Sequence, residues 1–190
     1  MPTTKIMVIR HAEKPNGEPG VYPGGAGIEQ QKNESLAAAG WRRAQALVGL
    51  FDPAGGAFVN ADLAKPQYLF ASDPSVADES MRPLQTVTPL AQSLGLDIDE
   101  SFANGEEEAL VEKVKAIGGV ALIAWQHEKI PKIAELILGA DEPFPPHWPG
   151  RRFDLVWVFD REDGSDAWRL AQIPQMLLPG DHADPIPFDK

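Results

Sequence analysis

Apolar residues along the chain alternate between short continuous runs and stretches with helical spacing. Ile6-Met7-Val8-Ile9 is unbroken and ends in polar residues, the pattern of a strand buried on both faces of a parallel sheet, here residues 4–10. Pro15 to Asn33, with Gly17, Gly20, Gly24, Gly25 and Gly27, cannot hold a helix or a central strand and reads as a long surface loop, a candidate lid. Leu36, Trp41, Ala44, Leu47, Val48 and Phe51 then recur at helical spacing, with Ser35 placed as an N-cap. Tyr68-Leu69-Phe70-Ala71, followed by Ser72, Asp73 and Pro74, predicts a second buried strand. Leu84, Val87, Leu90, Ala91 and Leu94 predict a helix closed by Gly95, which Pro89 should kink or restart. Asn104 with an acid three residues on, Glu107, predicts the start of a helix whose buried face is Leu110, Val111 and Val114.

Val120 to Ala124 is a third apolar run, and Ile130, Ile133, Ala134, Ile137 and Leu138, with Gly139 at the end, form the clearest amphipathic helix. After a proline-rich loop, Phe153–Phe159 and Trp168–Ile173 read as a hairpin turning at Asp163-Gly164, and residues from Pro174 onward as an extended tail on the surface. Alternating strands and helices predict an α/β fold, a mostly parallel central sheet with helices on both faces and a C-terminal hairpin. The 190 residues show no internal repeat or boundary, so residues 1–190 are expected to form a single domain.

Charge narrows the partners. With 28 Asp and Glu against 17 Lys and Arg, the net charge is -11, which removes the counterion-release drive for sequence-independent nucleic-acid binding. An anionic ligand must therefore meet a local basic pocket. The absence of cysteine excludes thiol catalysis, disulfides and Cys-based metal sites. No apolar stretch approaches the ~20 residues of a membrane span, and Met1 to Lys5 lead directly into the first apolar run without a signal-peptide core, so no membrane partner and a cytoplasmic location are expected.

Two of the four histidines, His11 and His127, lie just beyond predicted parallel strands, where open α/β sheets bind ligands. Arg10 precedes His11, Lys14 follows it, and Arg82 comes after the second predicted strand, so scarce positive charge converges on the same edge. Each cation could instead pair with one of the many acids, Lys14 above all. Planar, permanently charged guanidinium groups suit a phosphoryl group. Rival motifs fail: His11-Ala12-Glu13 lacks the cysteines of a zinc deaminase, His127-Glu128 has Pro131 where a zinc motif needs its second histidine, and no Gly-Lys-Ser/Thr follows the glycines at 24–27.

Arg10-His11-Ala12-Glu13, Leu36 to Ala44, Ala71-Ser72 with Ser80 to Thr86, and Trp125-Gln126-His127 together resemble the histidine phosphatase (phosphoglycerate mutase-like) superfamily, in that family's order over residues 4 to about 138. The resemblance implies a metal-independent phosphomonoester hydrolase without cofactor, acting on a small phosphorylated substrate. His11 would be the nucleophile, forming a phosphohistidine, with Arg10, Arg82 and His127 around the phosphoryl group. Ala12 departs from the usual glycine after the nucleophile. Lys14 and Pro15 sit where the acid phosphatase branch has Arg-Pro, although the compact length is that of the mutase-like branch. Glu128 is the favoured proton donor for the leaving group, with Glu107 and Glu13 as alternatives. A phosphomutase of the same fold, or a non-catalytic phosphate-ligand-binding protein, would carry the same residues.

Overall fold

A computed structural model describes residues 3–17, 34–75, 80–161 and 166–188. The proposed lid, apart from residues 15–17, and the Asp163-Gly164 turn lie outside these residues. The chain forms β1 (Thr3–Arg10), α1 (Ala38–Phe51), β2 (Tyr68–Ser72), α2 (Arg82–Leu94), β3 (Ile98–Phe102), α3 (Glu107–Ile117), β4 (Gly119–Trp125), α4 (Ile130–Leu138), β5 (Leu155–Arg161) and β6 (Trp168–Pro174). They build one six-stranded sheet in the order β3-β2-β4-β1-β5-β6. Strands β3, β2, β4 and β1 are parallel, while β5 and β6 run antiparallel as a hairpin.

The apolar runs are buried on both faces because each face carries two helices. Ile6, Val8, Ile123 and Trp125 pack with α3 and α4 through Leu110, Val114, Ile133 and Ile137. Met7, Ile9, Leu122 and Ala124 pack with α1 and α2 through Leu47, Phe51, Val87 and Leu90. Alternate residues of one strand thus feed opposite halves of the core, as period-two geometry requires.

Three local expectations change. The first helix starts at Ala38 with Ala37 as an uncapped N-cap, and the Ser35 hydroxyl instead accepts from Gln85 Nε2 at 3.1 Å. Helix α2 runs unbroken through Pro89, whose missing N–H is tolerated without a second start. Helix α3 begins at Glu107, and the orphan amides before it are met by glutamates: Glu106 Oε2 accepts from Ala103 N and Glu107 Oε1 from Gly105 N. Strand β3 was not visible as an apolar run, because this edge strand is only half buried. The tail wraps the sheet as expected and is pinned to it. Gln175 bridges to Asp154 and Leu155 main chain, and Ile186 exchanges hydrogen bonds with the Gln172 side chain and is buried.

Candidate active site

Strands β1, β2 and β4 end together, and their ends carry the polar residues the sequence singled out. Arg10 is the last residue of β1, in register with Trp125, the last of β4. His11 continues that ladder through its N–H to the Trp125 carbonyl at 3.0 Å. Beyond β4, Gln126 Nε2 donates to Ser72 Oγ at the end of β2 at 2.9 Å, and His127 follows. Arg82 stands at the first turn of α2.

His11 is only 4% exposed, and its Nδ1 lies 2.7 Å from the Ala12 carbonyl oxygen. A carbonyl can only accept, so Nδ1 carries the proton and the Nε2 lone pair is left available. Burial, then the charge of Arg10, and more weakly Arg82 and His127, push the imidazole down to about 3, against the Ala12 hydrogen bond. The ring is therefore neutral throughout the physiological range.

Arg10 is 1% exposed. Its Nη1 donates to the Gly150 carbonyl at 2.6 Å and the Arg152 carbonyl at 3.1 Å, and its guanidinium carbon stacks 3.8 Å over the Phe153 ring. Its Nε and Nη2 are buried without a hydrogen-bond partner. Burial lowers Arg10 to about 10, opposed by Glu128 and Glu13, with Arg82 repelling it. Two buried donors on a cation are costly when unmatched and are well suited to an oxyanion.

Arg82 is lowered chiefly by burial, against the attraction of Glu34. Its Nη2 lies 3.3 Å from Glu34 Oε2 and its Nε donates to the Ser35 carbonyl. His127 is pushed down by burial and then Arg10, opposed by Glu128, with Lys14 adding to the depression. Its Nδ1 stands 2.9 Å from Glu128 Oε2, but without the alignment of a hydrogen bond. Gly150 lies against its ring, since a Cβ there would come 3.3 Å from Nε2. Arg10, Arg82, His127 and Lys14 thus act electrostatically at a single sheet edge around the neutral His11.

The three candidate acids differ in their surroundings. Glu128 has a side chain 66% exposed beside His127. Glu107 is buried, and one oxygen accepts both the Trp125 indole N–H at 3.0 Å and the Gly105 N–H, which fastens α3 to β4. Glu13 Oε1 pairs with Arg43, while its Oε2 is buried without a partner. Lys14 is exposed, and His147, on the proline-rich loop, is exposed as well.

Several contributors were not singled out from sequence. Thr86 Oγ1 accepts from the Ala12 N–H at 2.8 Å and donates to the Arg82 carbonyl at 2.7 Å, joining the segment after His11 to the start of α2. Its position four residues after Arg82 was the available signal. Phe153, 6.0 Å from the His11 ring centre, and the main-chain carbonyls of Gly150 and Arg152 had none. Among the described residues no group of three His, Asp or Glu stands close enough to hold a metal, and no helix is long and apolar enough to cross a membrane.

No family model matches the chain, and no curated protein matches it in sequence. Solved structures do. The fold is similar to that of SixA from Agrobacterium tumefaciens, a proposed phosphohistidine phosphatase, at 18% identity and a TM-score of 0.53 over 88% of this chain and 96% of that one. It is likewise similar to the mycobacterial glucosyl-3-phosphoglycerate phosphatase Rv2419c, solved with VO3, at 14% identity and a TM-score of 0.51 over 88% and 97%.

Proposed function

We propose, for a chain with the histidine phosphatase fold, a phosphomonoester hydrolase that works through a phosphohistidine on His11. The observation that carries the reading is the pairing of a buried, neutral imidazole protonated on Nδ1 with an adjacent buried arginine that has two donors unmatched. Both named neighbours are phosphatases by description, which supports the same reaction class here.

Nε2 of His11 attacks phosphorus in line with the ester oxygen, the P–N bond forms, and the P–O bond to the leaving group breaks. Arg10 Nε and Nη2, with Arg82 and His127, bind the non-bridging oxygens as charge shifts between them, and such electrostatic positioning is the main source of rate in phosphoryl transfer. The leaving alkoxide takes a proton from Glu128, whose exposed carboxyl stands beside His127. Water then attacks the phosphohistidine, the P–N bond breaks, Glu128 receives the water proton, and phosphate departs. Lys14 adds positive charge at the entrance. His11 needs no base, because its attacking nitrogen carries no proton.

The test is phosphate release from p-nitrophenyl phosphate, with chelator present, by wild type and His11→Ala. We expect chelator-resistant turnover that falls below detection in the variant, with phosphate released in proportion to substrate consumed. Turnover surviving in His11→Ala overturns the reading.

A further inference from the structure

The planar guanidinium of Arg10 carries its N–H donors in a fixed fork, and the chain sorts them. The two hydrogens of Nη1 meet two acceptors, the carbonyls of Gly150 and Arg152 at 2.6 and 3.1 Å, so the edge formed by Nε and Nη2 is the one left for a ligand. A single turn, residues 149–152, makes that choice, and it is closed by the Arg152 N–H on the Pro149 carbonyl at 2.9 Å. Such carbonyls aim a long side chain only if their own peptides are fixed, since a bidentate grip on an anion tolerates little displacement.

Arg152 is fixed from two sides. From the core, Trp148 Nε1 donates to its carbonyl at 2.9 Å, and the Trp148 ring packs on Trp157 with ring centres 5.1 Å apart. From the tail, its own side chain is gripped: Nε donates to Asp154 Oδ1 at 2.6 Å, and Nη2 to the Asp184 carbonyl at 2.9 Å and the His182 carbonyl at 3.4 Å. Asp154 is buried, and its Oδ2 accepts the His182 N–H at 2.6 Å, so Arg152, Asp154 and the tail close a ring. The tail has other anchors. Gln172 pins Ile186 in both directions, and Gln175 bonds the main chain of Asp154 and Leu155. Among the described residues, Arg152 is the anchor whose own main chain also meets Arg10.

We propose that Arg152 is a positioning residue for the phosphoryl pocket: with Asp154 and the tail carbonyls of His182 and Asp184 it holds the 149–152 turn, and the turn holds Arg10 with its Nε–Nη2 edge open to the phosphoryl oxygens. The use of that edge for a phosphoryl group rests on the hydrolase reading. Arg152 acts through geometry rather than through its charge, which Asp154 balances. The same turn carries Gly150, which lies against the His127 ring, so a displaced turn disturbs both groups.

Calorimetric binding of inorganic phosphate, well below the melting temperature, tests it. Arg152→Lys keeps the charge but lacks the fork that reaches Asp154 and the tail carbonyls together. Asp154→Asn is isosteric, removes a negative charge and weakens the hold on Arg152. If charge near the pocket were what mattered, the first variant would leave the affinity unchanged and the second would raise it. Positioning predicts weaker binding in both, roughly 10-fold for Arg152→Lys and roughly 3-fold for Asp154→Asn, the scale of a hydrogen bond to a charged group. Gln172→Ala loosens the tail at Ile186 without touching Arg152 and should stay within about 2-fold of wild type. Unchanged or tighter binding in the first two variants, an equal loss in Gln172→Ala, or no phosphate binding by the wild type overturns the proposal. The two variants alter opposite partners of one pair, so either decides if the other does not fold. Turnover of p-nitrophenyl phosphate with unaltered phosphate binding in the variants would keep the hydrolase and remove the positioning role. The predicted pattern of binding in a protein that hydrolyses nothing would do the reverse.

Discussion

Arg10 and Arg43 are both almost fully buried, 1% and 3% exposed, and stand on either side of the same loop, yet the chain treats their charges in opposite ways. Arg43 is saturated. It donates to Glu13 Oε1, to both oxygens of Asp181 and to Gln175, and these carboxylate partners hold it above the usual arginine range against the cost of its burial. Arg10 has only two carbonyls and an aromatic face, and burial lowers it to about 10. A buried cation ringed by carboxylates fastens a structure; one with unmatched donors suits an anion. The same residue type meets opposite surroundings at the two positions.

The contrast can be broken in order of effect. Arg43→Ala leaves Glu13 and Asp181 without their counter-charge and should cost about 3–5 kcal/mol in urea unfolding; a loss under about 1 kcal/mol would remove the distinction. Arg10→Ala should cut turnover roughly 100- to 1000-fold while costing less stability than Arg43→Ala. The wild type should gain melting temperature with inorganic phosphate, and Arg10→Ala should lose that gain. Equal unfolding losses for the two variants would show that Arg10 is a fastener as well.

Gly40→Ala tests the loop between them. A Cβ there would lie 2.5 Å from the Glu13 carbonyl oxygen, which accepts the Ala37 N–H, so the helix and the loop after His11 must separate. Overpacking of this kind costs about 1–3 kcal/mol and should lower activity as well, by displacing the segment that follows His11.

The most gradual effect is on pH, spread over several pH units. A folded-state imidazole at about 3, below the free value of 6.5, means that the unfolded chain binds the extra proton first on acidification. Stability from this group is thus complete above 6.5 and is lost as pH falls towards 3, by up to about 1.4 kcal/mol per pH unit. His11→Asn should flatten that slope. In the wild type, kcat/KM should show no acid limb from His11 near 6.5.

Most of the sheet was legible because parallel strands buried on both faces must be continuous apolar runs, as Ile6–Ile9 and Val120–Ala124 are. Strand β3 was not, since Ile98-Asp99-Glu100-Ser101-Phe102 lies at an exposed edge where polar residues cost little. His11, Arg10 and His127 were legible from their position at strand ends. The Gly150 and Arg152 carbonyls were not, because every residue has a carbonyl and only the fold says which one faces Arg10. Nor could sequence pair Arg43 with Asp181, 138 positions away, or predict that Ser35 would turn from capping α1 to meeting Gln85.

That long reach gives the Arg43 clamp a place in time. The ribosome delivers Glu13 and Arg43 early and Asp181 more than a hundred residues later, so the nascent chain holds only half of the clamp for most of its synthesis. The segment after His11 gains its full set of Arg43 contacts only when the tail has emerged and folded back.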